Sequence, residues 1–76
     1  MNTDEMIKFI RQEYAEVVEA LRKAEQEHNA DKRSVKKREI FQFVAAQEME
    51  LTELCQKLGI QLYDENFELI DWTGGN

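Results

Sequence analysis

The sequence predicts a mainly all-α protein, an antiparallel two-helix hairpin followed by a short tail. Three observations point there. Proline is absent from the 76 residues, and no glycine occurs before Gly59. Two long stretches carry apolar residues at alternating spacings of three and four, a helical and not a strand period. Between them lies a polar patch, "EHNAD", with the composition of a turn.

The first helix is predicted over about residues 3–28. Its seam is Ile7, Ile10, Tyr14, Val17, Leu21 and Ala24. Asn2 or Thr3 can cap its start, and Asp4 and Glu5 favour the positive end of the helix dipole. A turn is placed at residues 29–31, with Asp31 or Ser34 as the cap of the next helix. The second helix is predicted over about 32–58, with Ile40, Val44, Gln47, Leu51, Leu54 and Leu58 facing the first. Gly59 stands where a left-handed cap belongs, and Ile60 can supply its hydrophobic contact. So short a connection makes the helices antiparallel neighbours.

The tail, residues 60–76, fits two conformations. "IQLYDENF" can form a β-hairpin with Asn66 in the left-handed position. The preferred alternative is a short third helix from Glu65 to Trp72, capped by Asp64, because a lone two-stranded hairpin is marginal in water. The tail's Tyr63, Phe67, Leu69, Ile70 and Trp72 are expected to cover one side of the helix pair.

Both helices carry more apolar surface than one seam needs. Phe9 and Val18 flank the first seam; Phe41, Phe43 and Met49 flank the second. With Trp72, these are the candidate interface residues. A chain this small gains little from its own core and has no disulfide or zinc staple, so a partner is expected. A homodimer forming a four-helix bundle and an unrelated protein both satisfy that expectation.

Charge divides the chain sharply. The net charge is −6, yet Lys32, Arg33, Lys36, Lys37 and Arg38 hold half of the ten basic residues within one segment without an acid. That segment is expected to project as the solvated tip of the hairpin, its charges offset by Glu25, Glu27, Asp31 and Glu39. It is also the candidate contact for nucleic acid or an acidic partner. It lacks interleaved aromatics for base stacking, and the chain as a whole is acidic, which disfavours nonspecific DNA or membrane affinity.

Chemistry-bearing residues are few. His28 is read as a solvated turn residue and Cys55 as a small core residue, the lone thiol fitting a reducing, cytoplasmic setting. The N-terminus has neither a secretory signal nor a transit pattern, and no apolar run reaches membrane-spanning length. No cofactor is expected, and no phosphate loop or other catalytic signature occurs.

"EVVE" (Glu16 to Glu19) and "ELCQ" (Glu53 to Gln56) resemble the ExxE and ExxD pairs through which all-helical nucleotide pyrophosphohydrolases of the MazG type bind Mg²⁺. The resemblance covers these tetrapeptides alone. Gln56 stands in place of the aspartate, and Ala15 precedes Glu16 where the family doubles the glutamate. It implies Mg²⁺-dependent nucleotide hydrolysis. Glutamates at this spacing are common on any acidic amphipathic helix, and the solvated face is the preferred reading.

The expected function is therefore a small acidic helical protein–protein interaction module acting by binding and not by catalysis. By analogy of class, it is an adaptor or inhibitor of a cellular protein, of a kind phages also encode. One variant is an acidic decoy whose glutamate rows imitate a nucleic-acid backbone. The alternative is a nucleic-acid-binding protein using the Lys32–Arg38 tip.

Overall fold

A computed structural model describes residues 2–70. It consists of α1 (Thr3–Ala30) and α2 (Val35–Leu58), packed against each other as a hairpin, with a non-helical tail folded back beside them. Trp72 lies outside the described residues.

Each helix end has a local chemical cause. The Asn2 side chain accepts a hydrogen bond from the Glu5 amide at 2.8 Å, satisfying one of the orphan donors of the first turn of α1. At the other end the Asp31 amide is shared between the carbonyls of Glu27 and His28. The connection lies at Asp31–Ser34, later than the expected 29–31, because Ser34 and not Asp31 caps α2: its hydroxyl accepts from the Lys37 amide at 3.2 Å. Gly59 closes α2 with φ 71°. Its amide donates to the Gln56 carbonyl and the Ile60 amide to the Cys55 carbonyl, the paired bonds of a Schellman motif.

The seam of α1 follows the expected spacing, with Tyr14 and Ala24 buried and Ile7, Ile10, Val17 and Leu21 partly buried. The seam of α2 follows it only in part: Val44 and Leu51 are partly buried as expected, and Phe41, Ala45, Glu48, Thr52 and Cys55, each one position after an expected residue, share the inward side. One residue is about 100° of helix rotation. Consequently Ile40, Leu54 and Leu58, expected at the interface, are exposed. Both apolar stripes satisfy the helical period, and two features select this one. Ala45, Thr52 and Cys55 are small enough to admit close approach. In addition, Glu48 meets the hydroxyl of Tyr14, which would be costly to bury unpaired.

The tail forms neither the expected helix nor a regular strand pair among the described residues. A single antiparallel bridge joins Tyr63 and Leu69. The Asp64 carboxylate, instead of capping a helix, accepts from the amides of Asn66 and Glu68 and holds a tight turn. Phe67, not Asn66, occupies the left-handed region, with φ 62°. It is 87 % exposed and joins no buried cluster. Leu62 supplies the cover instead, packing into a cluster with Tyr14 and Cys55, flanked by Ile10, Val18, Leu51, Ile60 and Leu69.

Candidate functional site: an open face and a basic tip

The hairpin has one closed and one open side. On the closed side, Arg11 donates from Nε to the Gln61 carbonyl at 2.8 Å and ties the tail to α1. Tyr14 donates to a Glu48 carboxylate oxygen at 2.8 Å, and its own oxygen lies 2.9 Å from the Tyr63 hydroxyl. Tyr14 has one hydroxyl proton, so Tyr63 must donate to it, giving a relay that ends on the carboxylate. The two rings meet edge to face with centroids 5.9 Å apart. Burial, then the Tyr63 and Glu48 hydrogen bonds, push the Tyr14 phenol well above its ordinary value. Burial likewise pushes the Cys55 thiol up, partly opposed by Arg11, so its thiolate is disfavoured and the side chain serves packing.

The open side is reached by turning both helices away from the tail. A groove of about 360 Å³ runs between them, floored by Val17, Leu51 and Leu54 and lipped by Glu13 on α1 and by Gln47 and Glu50 on α2. Towards the free end of the hairpin, Met6, Ile7, Ile10, Leu58 and Ile60 line a second apolar depression. Helical periodicity places Phe9 on α1 and Ile40 and Phe43 on α2 along the same side. Phe43 is 65 % and Leu58 58 % exposed, and Met6, Phe9, Ile40 and Leu54 are each about half exposed. The α2 stripe from Ile40 to Leu58 is about 27 Å long, some five helical turns.

The six candidate interface residues therefore separate. Phe9 and Phe43 share the open face. Val18 lies under the tail, lining a depression with Tyr63, Phe67 and Leu69. Phe41 is turned into the hairpin by the rotation of α2 and stacks on His28, with centroids 5.6 Å apart and planes 20° from parallel. Met49 is exposed, but on the opposite side of α2 from Leu51 and Leu54. Trp72 is beyond the described residues.

His28 differs from its expected solvated state: it is partly buried on Phe41, and its Nδ1 is buried without a hydrogen-bond partner. The helices thus pack up to the last turn of α1, about two turns beyond Leu21. Beyond them, Lys32, Arg33, Lys36 and Arg38 are exposed. Lys37 pairs with Asp31 at 3.6 Å, and among the described residues the other four basic side chains of the tip make no ion pair; Glu25, Glu27 and Glu39 do not take the offsetting role expected of them.

The carboxylates named for Mg²⁺ are dispersed. Glu19 is engaged by Arg22 on its own helix, which lowers its carboxyl below the ordinary value. Glu16, Glu53 and Gln56 are exposed. Among the described residues no three His, Cys, Asp or Glu side chains converge as a metal site, and no helix is long and apolar enough to cross a membrane. No protein-family profile, curated protein or solved structure matches the chain.

Proposed function

We propose that the chain is a protein-interaction module that works by binding another protein on the open side of its helix pair. The observation that carries this reading is the concentration of half-exposed large apolar side chains there, Met6, Phe9, Ile40, Phe43, Leu54 and Leu58. Single exposed apolar residues are ordinary on any surface; several gathered on one side mark an interface. Among the described residues the tail reaches this side at Ile60, beside Met6 and Leu58, whereas the other side is covered by Leu62 and Tyr63. Catalysis plays no part in this reading: the one histidine is stacked into the hairpin and the one thiol is buried and disfavoured as a thiolate.

The test is the size of the native assembly. In extract from the native cells, the chain should run in a species heavier than a monomer. Phe43→Asp should collapse that species to monomer mass while the purified variant keeps its far-ultraviolet helical signal. Monomer mass for the unaltered chain, or an assembly indifferent to Phe43→Asp, overturns the reading.

The basic tip supports a second reading, contact with nucleic acid, because four exposed cations there lack ion-pair partners among the described residues. It predicts binding to duplex or single-stranded oligonucleotides that weakens steeply with salt and disappears on changing Lys36, Lys37 and Arg38 to Glu. Salt-independent or absent binding removes it.

A further inference from the structure

We propose that the occupant of the groove is an amphipathic α-helix of a partner protein whose apolar stripe is bordered by Lys or Arg. This rests on the open side being a protein-binding face and names the chemistry of what binds there.

The shape of the site is that of a helix receptor. Two antiparallel helices leave one straight channel between them, floored by Val17, Leu51 and Leu54. A third helix lying in that channel meets both walls with a single stripe of side chains at spacings of three and four. The α2 wall of the channel, residues 47–54, rises about 10 Å, some two helical turns, and so holds the central turns of a docked helix.

The lips of the channel select the charge of that helix. Glu13 stands on one wall and Glu50 on the other, both exposed, with apolar side chains between them. Positions beside the apolar stripe of a docked helix come to lie over these carboxylates, where cations are favoured and acids repelled.

The same two residues argue against a second copy as the occupant. Twofold pairing with its axis through the groove would bring Glu13 and Glu50 of one chain towards those of another, between molecules of net charge −6 each. They also argue against a polyanion. A small ligand is a poorer fit, since the channel is open and directs no buried polar group into itself.

The experiment uses the full-length, isotope-labelled chain and two synthetic 18-residue helical peptides. Both carry the same Leu stripe; one is flanked by Lys and Arg, the other by Glu. The basic peptide should bind and shift the amide signals of Val17, Gln47, Leu51 and Leu54, and the acidic one should bind at least about tenfold more weakly, the size expected of two rim charge pairs. Glu13→Lys combined with Glu50→Lys should reverse the preference. Equal binding of both peptides, binding of neither, or shifts confined to the tail side would overturn the proposal.

So would a dimer of the chain alone, detected by light scattering, that dissociates on Leu54→Lys, for a second copy would then fill the groove. These failures are separable from failure of the underlying reading. A native assembly that remains sensitive to Phe43→Asp keeps the open face as a binding surface even if the peptides show no preference.

Discussion

On one side of the hairpin the chain returns after Gly59 and lays Leu62 and Tyr63 over Tyr14 and Cys55. On the other side Met6, Phe9, Leu54 and Leu58 stay about half exposed beside the groove. The same two helices provide both surfaces, and the difference lies in which polar groups accompany the apolar ones. Beneath the tail, hydroxyls and a carboxylate are joined into a relay, so burial is permanent and internally satisfied. Along the groove, the carboxylates of Glu13 and Glu50 stand at the lips and remain solvated until something covers them. Stability is thus concentrated on the first side and availability for binding on the second.

Substitution should reveal that division as a gradient of effects. The largest is expected at Tyr14, 2 % exposed at the centre of the closed side. Tyr14→Ala removes a buried ring and should destabilise by about 3–5 kcal/mol in urea denaturation, enough to threaten folding of so small a domain. Tyr14→Phe keeps the ring but leaves Glu48 and Tyr63 without their shared partner, and should cost about 1–2 kcal/mol.

The same pair of proteins divides in alkali. Folding raises the Tyr14 phenol above its ordinary value, so folding favours the protonated form. That contribution is complete below about pH 10, the unfolded value, and is lost as the pH rises beyond it. The unaltered chain should therefore lose stability more steeply than Tyr14→Phe above about pH 10. Parallel alkaline slopes in thermal melts would show that the phenol is not held neutral by the fold.

An effect smaller than that of Tyr14→Ala is expected at Gly59. A methyl group there would meet nothing within 4 Å, so Gly59→Ala isolates the cost of a left-handed backbone at φ 71°. That cost is about 1–2 kcal/mol, read as a shift in the urea midpoint. The smallest effects belong to the exposed positions. Phe43→Ser and Met49→Ser should each change stability by less than about 0.5 kcal/mol, yet only the first should weaken partner binding, because Met49 faces away from the groove. Equal loss of binding from both would erase the distinction between the sides.

How far these surfaces could be read from the sequence depended on how many stripes each helix carries. The α1 seam was legible because Tyr14, Val17, Leu21 and Ala24 form one dominant line. On α2, Ile40, Val44, Leu51, Leu54 and Leu58 form the more apolar line, of which Val44 and Leu51 are partly buried and Ile40, Leu54 and Leu58 are left open. Hydrophobicity alone favours that line; closeness of approach at Ala45, Thr52 and Cys55 and the need of the Tyr14 hydroxyl for Glu48 favour its neighbour. Those are pairwise requirements, invisible to the period of one helix. Gly59 was legible as a cap, and Asn2 and Ser34 each as one of two candidates, because capping is local chemistry. The tail was not, since its conformation depends on a hydrogen bond from Arg11, 50 residues from Gln61 in the chain. The excess of apolar surface was legible; its division between the side the tail covers and the side left open required the fold.

The most direct test of that division is a photo-crosslinking residue placed at position 43, on the open side, or at position 49, on the opposite side of α2, in the native cell. A discrete protein adduct is expected from position 43, lost on Leu54→Lys, and none from position 49. Equal adducts from both positions, or none from position 43, would contradict the division.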